Sequence, residues 1–341
     1  MQKMLEECMH FGFLRTADEL IDFSSRQRNA IRKLCEMIQG KPECCGAFWR
    51  DVAQSGRELL LTERERALFF GDLAGVYPLA VLLACVPDMA QEYRALGIPE
   101  EVLRDTLSDF RIWVQNCERR TGRIALTEYS WLTNHVRLEI FRLGRLQFRF
   151  GAYPPGLYIL ESKAGSRVFV ASDDPVRSER PVGRRISSDG NASGDQEEFS
   201  PDSYRCLLAP GDPVLEVHIP EGDPLDPEAV GQSFRNAACF FQRYFPERVP
   251  KGAYTCKSWL LSPAWKEMGE GGNIEKFAAR FRIVQLLDDR QMFERVFERQ
   301  IARWEDMPEC TSLQRNVKRW YSLSKTCPGA LGVLLRPGER S

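Results

Sequence analysis

Histidine is scarce in this chain: His10, His135 and His218 are the only three in 341 residues, and they lie far apart. An imidazole metal site therefore has little to draw on, and the eleven cysteines do not replace it. Their number is odd and they are scattered, and Cys44-Cys45 are adjacent rather than held at the short spacing of a zinc knuckle. No metal is expected. A long apolar run is also missing. The longest, 77–86, falls short of the ~18 residues of a membrane span and reads as a buried helix. Residues 1–25 carry Glu6, Glu7, Arg15, Asp18 and Glu19, so they lack the uncharged stretch of a secretory signal. The expectation is a cytoplasmic protein with reduced thiols and no membrane partner. Excess charge of one sign is absent as well: 47 basic and 48 acidic residues leave a net charge of −1, with no footprint for nucleic acid.

What is present fits a globular chain in two parts. Apolar residues make up 43% and charged residues 28%, ordinary for a folded protein, and the length exceeds what one core usually serves. Residues 1–125 read as a helical domain. Met4, Leu5, Cys8, Met9 and Phe11 recur at helical spacing. Ile31, Leu34, Cys35 and Ile38 share one face of a helix over 24–38 that stops at Gly40-Lys41-Pro42. Shorter helices are expected over 45–55, 64–70 and 77–84. A helix over 89–96 ends at Gly97, and Pro99 opens the next, which runs to about Glu118 with Leu103, Leu107, Phe110 and Val114 inward.

Residues 126–341 change character. After a last helix over 126–138, Leu146, Phe148 and Phe150 alternate with Gln147 and Arg149, the mark of a half-buried strand. Residues 157–161 and 167–171 form a strand pair around Gly165. Residues 172–203 hold almost no large apolar side chain and are expected to be an exposed, mobile loop. Its Arg177, Arg180, Arg184 and Arg185 either meet phosphate or form a solvated charge run answered by Asp195, Glu197 and Glu198; the second reading is preferred. From there strand and helix alternate. A strand over 213–220 precedes a helix capped by Asp226 and opened by Pro227. Then come a strand over 254–261, a helix over 273–281 with Asn273 as its cap, a strand over 282–287, helices over 291–304 and 312–322, and a strand over 329–335.

This order of elements resembles the GNAT (Gcn5-related N-acetyltransferase) fold. More narrowly, the stretches Phe141-Arg142-Leu143-Gly144-Arg145-Leu146-Gln147-Phe148, the run from Leu215 through His218 to Leu225, the run from Cys256 through Ser258 to Leu261, and Asn273-Ile274-Glu275-Lys276-Phe277 resemble a bacterial family of GNAT-like acyltransferases. These pair a helical N-terminal domain with a GNAT-like C-terminal domain. The resemblance implies an α+β chain, all-helical first and then a GNAT-like mixed β-sheet flanked by helices. It also implies an activity: transfer of an acyl group from acyl-CoA, acetyl-CoA or an acyl carrier protein to a small-molecule amine. In that fold, acyl-CoA lies where the fourth and fifth strands splay, with its pyrophosphate on the N-terminus of the helix between them. Here those elements are 214–219, 227–244 and 254–261. Backbone at Val217 and Ile219 would then meet the thioester and pantetheine, and Gly222 and Arg145 the phosphates.

One departure stands out. The loop 220–228 carries four carboxylates and three prolines where GNAT enzymes offer a glycine-rich cradle of N–H donors. The competing reading is a non-catalytic binding or regulatory protein on a degenerate GNAT scaffold. For chemistry, strand parity puts Glu216 and His218 on one face, and Cys256 and Ser258 on one face of the later strand. His218 is the candidate general base, with Glu216 either orienting it or acting as base itself. Cys256 is a candidate nucleophile or channel residue, and Ser258 a candidate proton donor to the leaving thiolate, with Tyr254 and Tyr244 as alternatives.

Overall fold

Ser24, Thr62 and Asp226 each stand one residue before a helix and spend their side-chain oxygens on its first free amides. A computed structural model of the chain describes residues 11–54, 58–248, 253–268, 272–287, 291–297, 303–324 and 328–335. Cys8, His10, Cys327 and the helical spacing from Met4 to Met9 lie outside them. The chain divides into two compact units, residues 1–147 and 148–341.

The first unit is built on helices α1 (Phe13–Leu20), α2 (Ser25–Gln39), α3 (Pro42–Ala53), α4 (Glu63–Phe70), α5 (Tyr77–Ala84), α6 (Val86–Leu96), α7 (Glu100–Thr121) and α8 (Tyr129–Val136). Ser24 and Gln27 form a capping box at α2, and Thr62 and Glu65 form one at α4. Gly97 and Gly122 end α6 and α7 at φ 69° and 71°, the left-handed conformation that glycine reaches without strain. All eight residues of α5 are buried. The stretch Glu63–Leu96 holds a window of mean hydropathy 1.9, long and apolar enough to cross a membrane by composition, which the sequence reading excluded; 67% of that window is buried inside the fold, as in a core helix. Around α5, Tyr77 donates to Asp51 Oδ2 at 2.8 Å while Leu60 N donates to Asp51 Oδ1 at 2.7 Å, so a buried carboxylate ties α3 to the loop before α4. The helix expected over 126–138 is only α8, and β1 (Ile140–Leu143) follows, its Arg142 amide donating to Thr106 of α7 at 3.0 Å.

The unit boundary falls inside β2 (Leu146–Ala152). The second unit adds β3 (Leu157–Ser162), β4 (Arg167–Ala171), β5 (Val182–Ile186), β6 (Ala192–Glu198), β7 (Tyr204–Leu208), β8 (Pro213–His218), helix α9 (Pro227–Tyr244) and β9 (Ala253–Ser258). Then come α10 (Trp265–Met268), α11 (Asn273–Ala278), β10 (Arg282–Leu287), α12 (Gln291–Phe297), α13 (Ser312–Ser324) and β11 (Gly329–Leu335). Two sheets result: β2-β8-β9-β11-β10 in order, and antiparallel β6-β5-β4-β3-β7. They share a core of Tyr153, Leu157, Ile159, Ile186, Leu208, Val214, Ala253, Val284, Leu331 and Val333. The other face of the larger sheet is covered by α9. Phe234 packs edge-on to Phe148 and Tyr254 at 5.7 and 5.0 Å, and Phe241 packs on Phe150 at 5.1 Å. Fully burying a phenylalanine contributes roughly 1.5–3 kcal/mol, so this aromatic layer fixes α9 over the sheet. A satellite core of Trp265, Met292, Val296, Phe297, Met307 and Val317 gathers the short C-terminal helices.

Three expectations are corrected. Residues 172–203 are not a loop throughout: they contain β5 and β6, an antiparallel hairpin with Arg185 opposite Ser193 and Ile186 opposite Ala192. Their period of two is carried by charged and small residues, so it left no apolar trace. All four arginines pair with carboxylates, Arg177 with Asp212, Arg180 with Glu198, Arg184 with Asp173 and Arg185 with Glu197. The strand expected over 254–261 stops at Ser258, whose hydroxyl accepts from Leu260 N and turns 259–261 into a 3-10 segment. Asn273 is not a cap; Gly272 occupies that position.

Candidate active site

β8 alternates buried Leu215 and Val217, which face α9, with Glu216 and His218 on the opposite face. It runs parallel to β9, and the register pairs Leu215 with Tyr254 and Glu216 with Thr255. Among the described residues those are the only two pairs. Beyond them Val217 and His218 leave β9, and Pro220 follows with no N–H to give. The two strands thus start as neighbours and part at the end where the chain turns toward α9.

At that fork Arg149 of β2 reaches across to Glu216. Its Nε donates to Oε2 at 2.8 Å and its Nη2 donates to the same oxygen. His218 Nε2 lies 3.5 Å from that oxygen. Gly151, two residues along β2, provides the floor: a Cβ there would stand 2.5 Å from Glu216 Oε1 and 2.7 Å from Cδ. The carboxylate therefore lies where only a glycine leaves room. The side chains of Arg149, Glu216 and His218 are 32%, 26% and 28% exposed; His218 Nε2 itself is buried against Glu216, so it is the rest of the imidazole that a substrate can reach. Burial pushes the Glu216 carboxyl up, but the hydrogen bond from His218 and the charge of Arg149 outweigh it and hold it below the usual carboxylate range. Glu216 is then ionised at neutral pH. Of the two roles the sequence left open, orienting His218 is the one this geometry supports.

Cys256 and Ser258 do not join this cluster. The register puts Tyr254 on the face of Leu215, so Cys256 and Ser258 point to the α9 side, away from Glu216 and His218. Cys256 is 1% exposed, and burial drives its thiol up, so it lacks the thiolate a nucleophile needs. Ser258 is 7% exposed and acts as a cap, its Oγ accepting from Leu260 N at 3.1 Å. Tyr254 is packed against Phe148 and Phe234, and Tyr244 against Phe240. Among the candidates for donor contact, Val217 and Ile219 stand past the last strand pair, and Gly222 has φ 128° with open space around it. Arg145 lies in the first unit, in the turn with Gly144 at φ 84°. That turn joins β1 to β2. Sequence reading missed Arg149 and Gly151 as site residues, although the alternation in 146–150 had already placed Arg149 on the face opposite the phenylalanines.

The start of α9 is closed to anions. Asp226 Oδ1 accepts from Glu228 N and Ala229 N at 3.0 and 2.9 Å, Val230 N bonds to Asp226 O, and Pro227 has no N–H. Every amide that would face a phosphate on the helix axis is absent or engaged.

Residues 140–334 match the family model described as the GNAT-like C-terminal domain, and residues 13–138 match that of the N-acyltransferase N-terminal domain. The fold is similar to solved structures of an acyltransferase. One, in complex with decanoyl-CoA, is 22% identical with a TM-score of 0.62, covering 93% of this chain and 89% of that one. Another, in complex with decanoyl-CoA and teicoplanin, is 22% identical with a TM-score of 0.59, covering 95% of this chain and 94% of that one. No curated protein matches the chain.

Proposed function

Since the chain belongs to the GNAT-like family, with an N-acyltransferase N-terminal domain ahead of its GNAT-like C-terminal domain, we propose that it transfers a medium-chain acyl group from acyl-CoA to an amine on a small molecule. The observation that carries this reading is the confinement of the β8–β9 register to Leu215–Tyr254 and Glu216–Thr255. The fork beyond is where a pantetheine arm would lie, with His218 at its edge. The solved acyltransferases of like fold hold octanoyl-CoA, decanoyl-CoA and teicoplanin. They make medium acyl chains the first donors to try and a glycopeptide amine the first acceptor.

In the proposed reaction His218 takes a proton from the acceptor ammonium, and the freed amine adds to the thioester carbonyl. The resulting oxyanion would be met by strand-end amides at Val217 and Ile219. Collapse breaks the C–S bond; the nitrogen, positively charged on addition, gives up its second proton as the amide forms, the leaving CoA thiolate takes up a proton through solvent, and His218 returns its own to solvent. Glu216, fixed by Arg149 and Gly151, holds the imidazole and offsets the charge it gains. An acyl carrier protein is the alternative donor, whose own contacts would stand in for the pyrophosphate cradle that the loop 220–228 lacks.

The test is thiol release from acetyl-, octanoyl- and decanoyl-CoA in the presence of amines, with binding followed by titration calorimetry. Wild-type protein is expected to bind and consume the longer donors. His218→Ala is expected to keep donor binding and lose roughly 10²–10⁴-fold in turnover. Absence of binding to every acyl-CoA and to an acylated carrier protein would leave the degenerate scaffold as the better description.

A further inference from the structure

The helix start that should hold a CoA pyrophosphate is engaged, yet two guanidinium groups converge beside it. Arg280, at the end of the segment that carries α11, donates through Nη2 to Pro227 O at 2.8 Å. Arg235, on the third turn of α9, folds back along the helix with Nε and Nη2 on Gln232 Oε1 at 3.0 and 2.6 Å. Both flank Gly231. The position its Cβ would take lies 3.4 Å from Arg235 Nη1 and 3.7 Å from Arg280 Nη2.

Two cations flank Gly231 near the helix end that already carries positive partial charge. Among the described residues neither forms an ion pair with a carboxylate. Asp226 has committed Oδ1 to the helix amides, and Glu228, exposed on the first turn, pairs with neither. Elsewhere in the same unit arginines do pair: Arg177, Arg180, Arg184, Arg185 and Arg205 each have an acidic partner. A guanidinium fork suits phosphate oxygens, and the missing side chain at Gly231 leaves a floor on which a phosphate can sit between the two.

We infer that Arg235 and Arg280, closing over Gly231, form the phosphate site for the nucleotide end of a CoA donor, in place of the amides at the start of α9. The inference rests on the acyl-CoA reading above. It explains how a chain with an acidic, proline-rich loop can still take CoA: recognition passes from backbone dipoles on the helix axis to side-chain charges one turn further along its flank.

The experiment compares two donors, octanoyl-CoA and S-octanoyl-pantetheine, which shares the thioester and arm but has no phosphate. Affinity is measured for wild type, Arg235→Ala, Arg280→Ala and the double variant, with 3′-dephospho-CoA as a competitor. Each single variant is expected to weaken octanoyl-CoA by about tenfold or more, and the double variant further, while S-octanoyl-pantetheine binds all four proteins alike. The loss for octanoyl-CoA is expected to shrink as salt rises, since screening weakens the charge contact. Retention of the 3′-dephospho competitor's sensitivity to the variants assigns the pair to the pyrophosphate; its loss assigns them to the 3′-phosphate. Either fits the inference. Variants that bind octanoyl-CoA as wild type does, or that lose both donors in parallel, overturn it while leaving the transferase reading in place. Wild type that binds neither donor overturns the inference, and overturns the transferase reading too when the other acyl-CoAs and an acylated carrier protein also fail to bind.

Discussion

Three side chains and one missing side chain make the proposed centre. Arg149 fixes Glu216, Glu216 faces His218, and Gly151 leaves the space in which the carboxylate lies. Gly151 is the part a sequence hides best, because glycine near a strand end usually marks a bend. Replacing it tests the arrangement without removing a charge. Gly151→Ala would force the Glu216 carboxylate to move, since a methyl group cannot stand 2.5 Å from Oε1. Turnover is expected to fall on the order of 10²-fold, the scale of a small misplacement of a catalytic group, with the melting temperature and acyl-CoA affinity close to wild type. Unchanged turnover would show that Glu216 does not hold His218 for catalysis. At this scale the sequence was half legible. Parity alone joined Glu216 with His218, but parity within one strand cannot say how two strands are registered. Cys256 and Ser258 were therefore grouped with residues that point to the opposite face.

At the scale of elements, what could be read from the sequence was whatever left an apolar or capping trace. The α9 helix begins at Pro227 behind Asp226 and buries Val230, Ala237, Phe240 and Phe241, all visible as pattern. The β5–β6 hairpin was missed because its cross-strand contact is an ion pair, Arg185 with Glu197, rather than an apolar pair. A buried polar contact between two helices was missed for the same reason. His135 of α8 is fully buried with Nε2 3.1 Å from Asp109 Oδ2 of α7, and Trp131 Nε1 donates to that oxygen at 2.9 Å. Burial pushes the Asp109 carboxyl up, but His135 and Trp131 outweigh it and leave it below the usual carboxylate range. The sign follows from linkage. A carboxyl whose folded pKa is depressed adds stability above its unfolded pKa of about 4, and that stability is lost as pH falls through the folded value. Asp109→Asn is expected to lower stability at neutral pH and to flatten the acid side of a stability–pH curve measured by denaturant unfolding. Asp109→Ala is expected to cost roughly 3–5 kcal/mol, the loss typical of one partner of a buried pair. A curve with the same acid slope in Asp109→Asn as in wild type would assign the acid sensitivity elsewhere.

For the whole molecule, a net charge of −1 means that no overall field draws in a polyanionic donor, so recognition has to be local, and the arginines over Gly231 are the local means proposed. The same scale decides how the chain comes apart. The core of the second unit joins both of its sheets, and the tip of the β5–β6 hairpin is seated on β10: Gly190 has φ 89°, and a Cβ there would stand 2.6 Å from Ile283 Cγ2. Arg282 Nη2 donates to Ile186 O at 3.0 Å beside it. Gly190→Ala meets both a strained backbone and a closed space, and is expected to destabilise the second unit by about 1–3 kcal/mol. Hydrogen exchange reads where that loss falls. Amides of β5, β10 and β11 are expected to exchange faster, while those of α5, whose eight residues are buried in the first unit, keep their protection. Faster exchange in α5 to the same degree would mean that the two units open as one cooperative body, and a substitution at a hairpin tip would then be felt along the entire chain.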